Sequence, residues 1–149
     1  MVGLTADTDA TVTLRLPPNA AHVRTARLVA AAVARRSGVG EELLDEIRLA
    51  VGEACARAVR QHQRRGITEA VTVEFCEGDR FRVAVLDRAE AVPDGNGRST
   101  GLLPGQAPWA DPSGDALGLA LLGAVVQDLA VDPDAATGGT RVTMSWPLG

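Results

Sequence analysis

Two runs of alternating apolar and polar residues, Ala70–Cys76 and Arg80–Leu86, are joined only by Glu77-Gly78-Asp79. A link this short can turn the chain back on itself but cannot carry it across a sheet, so the two strands must pair antiparallel. A second pair, Leu129–Asp132 and Thr140–Trp146, is set about Gly138-Gly139 and reads as another hairpin. A further alternating run, ATVTLRL over Ala10–Leu16, reads as a half-buried strand. A sheet assembled from hairpins is not one of single βαβ crossovers, which disfavours Rossmann and P-loop architectures.

The helices fall between these strands. Pro17-Pro18 ends the first strand, and Asn19 is placed to cap a helix running to about Arg36. Val23, Ala26, Leu28, Val29 and Val33 form its apolar stripe. After Gly38 and Gly40 a second helix is predicted from about Glu41 to Gln63. Its acids (Glu41, Glu42, Asp45, Glu46) lie at the N-terminus and its arginines (Arg57, Arg60, Arg64, Arg65) toward the C-terminus, as the helix dipole favours. A third helix, from about Asp115 to Asp128, carries the dense apolar run ALGLALLGAVV. Residues 88–114 are rich in proline and glycine and lack periodicity, which reads as a lid-like loop. The order β-α-α-β-β-loop-α-β-β predicts an α+β fold: a two-layer α/β sandwich with a mainly antiparallel sheet and three helices on one face. The length, 149 residues, suits a single domain over 1–149.

Composition removes several function classes. A net charge of −4 argues against sequence-independent binding of nucleic acid. No apolar run is long enough for a membrane span, and the start MVGLTADTDATV lacks the features of a signal peptide, so a cytoplasmic protein is expected. All 15 basic residues are arginine, a bias that with the abundant Ala and Gly points to a GC-rich bacterial genome. The absence of lysine excludes any mechanism built on a P-loop, Schiff-base or kinase-strand lysine. Cys55 and Cys76 have no metal-ligand spacing and read as structural thiols. His22 and His62 are isolated on helix positions that look exposed, and no metal site is expected.

The chemistry-bearing positions begin on the second helix. In IRLAVGEACARAV, Ile47, Val51, Ala54 and Ala58 recur at helical spacing and face the core. Ala50, Glu53 and Arg57 lie about 100° further round. At the end of a strand stands Asp87, whose carboxylate can accept a hydrogen bond from an exocyclic amine such as adenine's. Gly118 lies near the start of the third helix, where backbone N–H groups can approach a phosphate.

The succession LRLPPNAAHVRTAR, LDEIRLAVGEACARAV, VAVLD, ALGLALLGAVVQDL and GGTRVTMSWPL resembles the anti-sigma factor serine/threonine kinases of the GHKL, or histidine-kinase-like, ATPase superfamily over nearly the whole chain. The resemblance implies the two-layer GHKL (Bergerat) sandwich, ATP with Mg²⁺ as ligands, and two partners, a sigma factor and a STAS-domain anti-anti-sigma factor. It also implies pairing of two copies through the sheet edge and first helix. Carried over residue by residue, it makes Glu53 the general base, Asp87 the reader of adenine and Thr140, after Gly139, a support of the adenine pocket.

The match departs from the family at three places. The family's Mg²⁺-ligating asparagine is replaced by Arg57, the glycine expected after Asp87 is Ala89, and the family's Gly-x-Gly-Leu reads Ala116-Leu117-Gly118-Leu119. A guanidinium has no acceptor atom and cannot ligate a cation. At i+4 it can instead pair with Glu53. Two readings follow: Arg57 replaces the metal and contacts phosphates directly, or the pocket is degenerate and the fold serves as a binding module. Ala89 and Ala116 weigh toward the second. The predicted function is therefore a partner-switching anti-sigma factor-like protein with weak or lost ATP binding, the alternative being an active Mg·ATP-dependent serine kinase. Trp109, in the loop, is a candidate docking aromatic, and Trp146 reads as core.

Overall fold

The computed structural model describes residues 2–6, 11–89 and 115–149, with Ala6 and residues 115–117 described as backbone only. The elements in chain order are β1 (Gly3–Ala6), β2 (Thr11–Leu16), α1 (Val23–Ser37), α2 (Leu44–Arg64), β3 (Val71–Cys76), β4 (Arg80–Leu86), α3 (Asp115–Val125), β5 (Asp128–Pro133) and β6 (Thr140–Pro147). Short 3-10 turns, Ala20–His22 and Glu41–Leu43, lead into α1 and α2.

The strands form one six-stranded sheet in the order β1-β2-β3-β4-β6-β5. Every neighbouring pair is antiparallel, including both hairpins read from the sequence. The α+β sandwich expected from the strand order is therefore the fold observed. β1 was not anticipated. It is four residues long and pairs at the sheet edge with β2, where local periodicity carries almost no signal.

Burial alternates along the central strands, and the alternation shows which face the helices cover. Val12, Leu14 and Leu16 of β2, Val71, Val73 and Phe75 of β3, Phe81, Val83 and Val85 of β4, and Val142, Met144 and Trp146 of β6 are buried. The intervening Thr13, Thr72, Glu74, Arg141 and Ser145 are half-buried, and Arg15 and Arg82 are exposed, on the opposite and largely polar face. On the covered face Phe81 lies between Phe75 and Trp146, at centroid distances of 6.5 and 6.1 Å. Trp146 Nε1–H donates to Glu46 Oε2 at 2.6 Å, so the last strand is tied to the first turn of α2 and the indole is not left with an orphan donor.

Asn19 caps the 3-10 turn that leads into α1, its Oδ1 accepting from the Ala21 N–H at 2.9 Å, whereas α1 itself starts after His22 with no side-chain cap. It ends at Gly38, whose φ of 95° is a left-handed conformation that glycine adopts without steric cost. Val23, Ala26 and Val33 face inward as expected, but Leu28 is 61% exposed and does not belong to the stripe. The Arg36 guanidinium, helped by the Ser37 hydroxyl, holds the Glu77 carboxyl below the usual carboxylate range and links the end of α1 to the β3–β4 turn. α3 ends at Val125, three residues before the expected Asp128, because β5 already begins at Asp128.

α2 crosses the sheet as the central element of the helical layer. Ile47, Val51, Ala54 and Ala58 are fully buried, as the periodicity requires. Cys55 lies in the same layer, and burial pushes its thiol up to about 12, against a smaller opposing effect of the Arg27 guanidinium. A thiol of that kind is inert, since the thiolate is the nucleophile. Ellman's reagent at mildly alkaline pH is expected to modify the half-buried Cys76 in the native protein and to reach Cys55 only on unfolding in urea. Equal native reactivity of the two thiols would contradict this packing.

Candidate functional site

The middle of α2, the end of β4 and the start of β6 meet at Asp87, immediately beyond the last residue of β4. Asp87 is 1% exposed and, among the described residues, its carboxylate accepts three hydrogen bonds. Oδ1 accepts from the Ala89 N–H at 2.9 Å and from the Thr140 N–H at 3.1 Å. Oδ2 accepts from Arg57 Nη1 at 3.0 Å. The Asp87 N–H in turn donates to the Thr140 carbonyl, extending the β4–β6 ladder by one rung. The carboxylate is thus fixed by backbone on one oxygen and by a guanidinium on the other.

Backbone proximity is decisive at Gly139. A methyl group there would overlap the Asp87 carbonyl and sit 2.7 Å from Arg88 Cα, so only glycine lets β6 approach the end of β4 this closely. The sequence placed Gly139-Thr140 by resemblance alone; the steric reason emerges from the packing. Thr140 is buried, at 1% exposure, and its contribution to Asp87 comes through its N–H.

Arg57 is 6% exposed, and its partner is not the one expected. At i+4 Glu53 is the nearest carboxylate in sequence, whereas Arg57 pairs with Asp87, thirty residues away just beyond β4. Glu53 instead faces Arg60, at 3.5 Å, with side-chain exposures of 30% and 39%. The reason is helical geometry. Residues seven apart return to nearly the same stripe, so Glu53 and Arg60 share the flank toward α3 while Arg57 turns toward the sheet. Gly118 faces that flank: a Cβ added to it would lie 2.8 Å from Glu53 Oε1 and 3.3 Å from Arg60 Nη2. Beside Glu53 the helices enclose an apolar groove of about 90 Å³, lined also by Leu49, Ala50, Leu121, Leu122 and Val125.

Two clusters therefore stand where a linear reading had one site. Glu53 and Gly118 come together on the α3 side of α2, and Arg57, Asp87, Ala89 and Thr140 on the sheet side. Ala116 is the second residue of α3, but its side chain, together with Trp109 and residues 90–114 of the lid-like loop, lies outside the described residues.

His62, on a helix position that looks exposed in the sequence, is fully buried. Its Nε2 accepts from the Arg88 N–H at 2.9 Å, and its Nδ1 lies 2.9 Å from the Glu69 carbonyl, a pattern that assigns the Nδ1–H tautomer. The side chains of Glu69 and Arg88 close an ion pair over it. His62 thus holds the backbone that follows Asp87 against α2. No side-chain signal points to it, because both partners, Glu69 seven residues on and Arg88 twenty-six residues on, are met through their backbone and not through their residue type. Among the described residues, no group of three or more His, Cys, Asp or Glu side chains is arranged to hold a metal ion.

The family model described as the histidine kinase-like ATPase domain matches residues 16–146. The chain belongs to that family. Its curated relatives include the serine-protein kinase RsbW of Bacillus cereus strain AH187, 26% identical over 124 residues, which cover 83% of this chain and 78% of the relative. The RsbW of Halalkalibacterium halodurans is likewise 26% identical over 126 residues, covering 84% and 77% of the two chains. A solved structure of the RsbU and RsbW domains of Rv1364c from Mycobacterium tuberculosis has the same fold, with a TM-score of 0.62 at 20% identity. This chain is covered to 93% and spans about a third, 32%, of that longer one. The kinship with anti-sigma factor kinases read from the sequence holds within this family.

The two ion pairs are expected to differ sharply in weight. Asp87→Ala strips a buried guanidinium of its partner and orphans two N–H groups, and is expected to destabilise by about 3–5 kcal/mol. Glu53→Gln, at a partly solvated pair, is expected to change stability by less than about 1 kcal/mol. Urea denaturation measures both, and comparable losses would overturn this assignment of the buried pair.

Proposed function

We propose that this protein is a regulatory binding module of the anti-sigma factor type, which holds a sigma factor, a STAS-domain antagonist, or each in turn, and has lost dependence on Mg·ATP. The observation that carries the reading is the buried Arg57–Asp87 pair. In the resemblance, position 57 belongs to the asparagine that ligates Mg²⁺ and Asp87 to the reader of adenine. A guanidinium offers a metal no acceptor and repels it. Here it also spends its N–H on the oxygen that a base would need, while the other oxygen is taken by backbone. The residues present therefore do not fit a magnesium–nucleotide ligand. Arg57 turns toward Asp87 and the sheet, which argues equally against its standing in for the metal at the phosphates.

The alternative, an active serine kinase, is favoured by one observation. Glu53 is half-exposed beside the groove and, among the described residues, makes the loose Arg60 contact, which supports a carboxylate able to accept a proton from a serine hydroxyl. The RsbW relatives carry serine-protein kinase in their names. Direct recognition of nucleic acid or of a membrane forms no part of either reading.

Calorimetry of the unmodified protein is expected to give no micromolar binding of ATP with or without Mg²⁺, while an affinity pull-down recovers a sigma factor or a STAS-domain protein. Micromolar Mg²⁺-dependent binding, with label transfer from γ-labelled ATP to a partner serine that is lost in Glu53→Gln, would establish the kinase instead.

Pairing of two copies belongs to the same reading. Among the described residues β1 is an edge strand, Leu4 on it is 58% exposed, and Val12, Val29, Ala32 and Val33 line an apolar recess beside it. Sedimentation equilibrium is expected to show a dimer that Leu4→Asp weakens; a monomer at all concentrations would remove this element.

A further inference from the structure

The three donors on the Asp87 carboxylate differ in origin. The N–H groups of Ala89 and Thr140 are backbone donors set by the ends of β4 and β6, and are present whatever side chains the chain carries. The peptide beyond Asp87 is held independently, by His62 on Arg88 and by the close approach of Gly139. The third donor is a side chain of α2 reaching to the sheet. Without it, the same scaffold would present a buried carboxylate with an open acceptor direction on Oδ2. Such a site selects a planar partner with N–H groups along one edge, because a flat, delocalised donor can approach a carboxylate edge-on between packed layers. Amidines, guanidines and amino-substituted heterocycles have that form, whereas a compact ammonium does not.

We propose that Arg57 is a resident ligand: from within the chain, its guanidinium fills a carboxylate-floored site whose chemistry selects planar N–H donors, and it keeps external molecules of that class out. The inference deepens the functional reading and rests on it, since the base of a nucleotide belongs to this class. Its consequence is regulatory. α2, β4 and β6 are held together by a covalently attached donor, so the arrangement of this region does not vary with nucleotide supply.

The test is chemical rescue in the full-length protein. Arg57→Ala is expected to lower the thermal midpoint by roughly 10 °C, as removal of one partner of a buried pair should in a chain of this size. Millimolar methylguanidinium is expected to raise that midpoint saturably by several degrees, methylammonium at equal ionic strength is not, and the unmodified protein should respond to neither. Adding Asp87→Asn to the variant should abolish the difference between the cations. A variant that responds to both cations alike overturns the proposal. Should Arg57→Ala not fold, Arg57→Asn is compared in the same way. Should that fail as well, recovery of native tryptophan fluorescence on dilution from urea is measured with each cation, and equal recovery overturns the proposal. Calorimetry of the unmodified protein with Mg·ATP separates the two ideas: tight binding there defeats the functional reading, whereas loss of cation selectivity in the variant defeats the resident ligand alone.

Discussion

The ion pair between Arg57 and Asp87 is where the helical layer and the sheet are joined by charge as well as by apolar contact. Both side chains are nearly inaccessible to water, at 7% and 2% exposure. Removing two charges from water is expensive, and their attraction offsets that cost only when the remaining hydrogen-bonding capacity is also met. Asp87 meets the condition, because two backbone N–H groups on Oδ1 complement the guanidinium on Oδ2. Other features depend on this arrangement. Gly139 must be glycine for β6 to come close enough to donate the Thr140 N–H, and His62 must be buried to hold Arg88 in line with it.

The pair also divides the middle of α2 between two tasks. One flank, with Glu53 and Arg60, faces Gly118 and the groove against α3; the other, with Arg57, faces the sheet. In a nucleotide-dependent member of this fold the resemblance would have both flanks serve one ligand. Here the sheet-side flank is closed by an internal contact, and the α3-side flank retains a partly solvated carboxylate.

Much of the fold was legible because its signals are local. The three-residue link Glu77-Gly78-Asp79 forces a hairpin, the spacing of Ile47, Val51, Ala54 and Ala58 forces a buried helix face, and Asn19 after two prolines marks a helix start; each was found where expected. The misreadings share a cause. Leu28 fits a helical stripe by spacing but lies on a side that no described element covers, β1 is too short to carry a pattern, and His62 is bonded to backbone groups that the fold brings to it. Each turns on which neighbour is present in space, and periodicity does not encode that.

The sequence by itself determined every element but β1, the antiparallel sheet and the family, and it shows an arginine at the position where the resemblance places a metal-ligating asparagine. It could not determine what that arginine does. The expected carboxylate stands four residues along the helix, and the observed one thirty residues away, immediately after β4. The nearer in sequence was the natural expectation, because i,i+4 pairs form without tertiary structure. Only the packing of α2 on the sheet decided for Asp87. Burial makes an unpaired guanidinium far more costly than the few tenths of a kcal/mol that a surface helix pair provides.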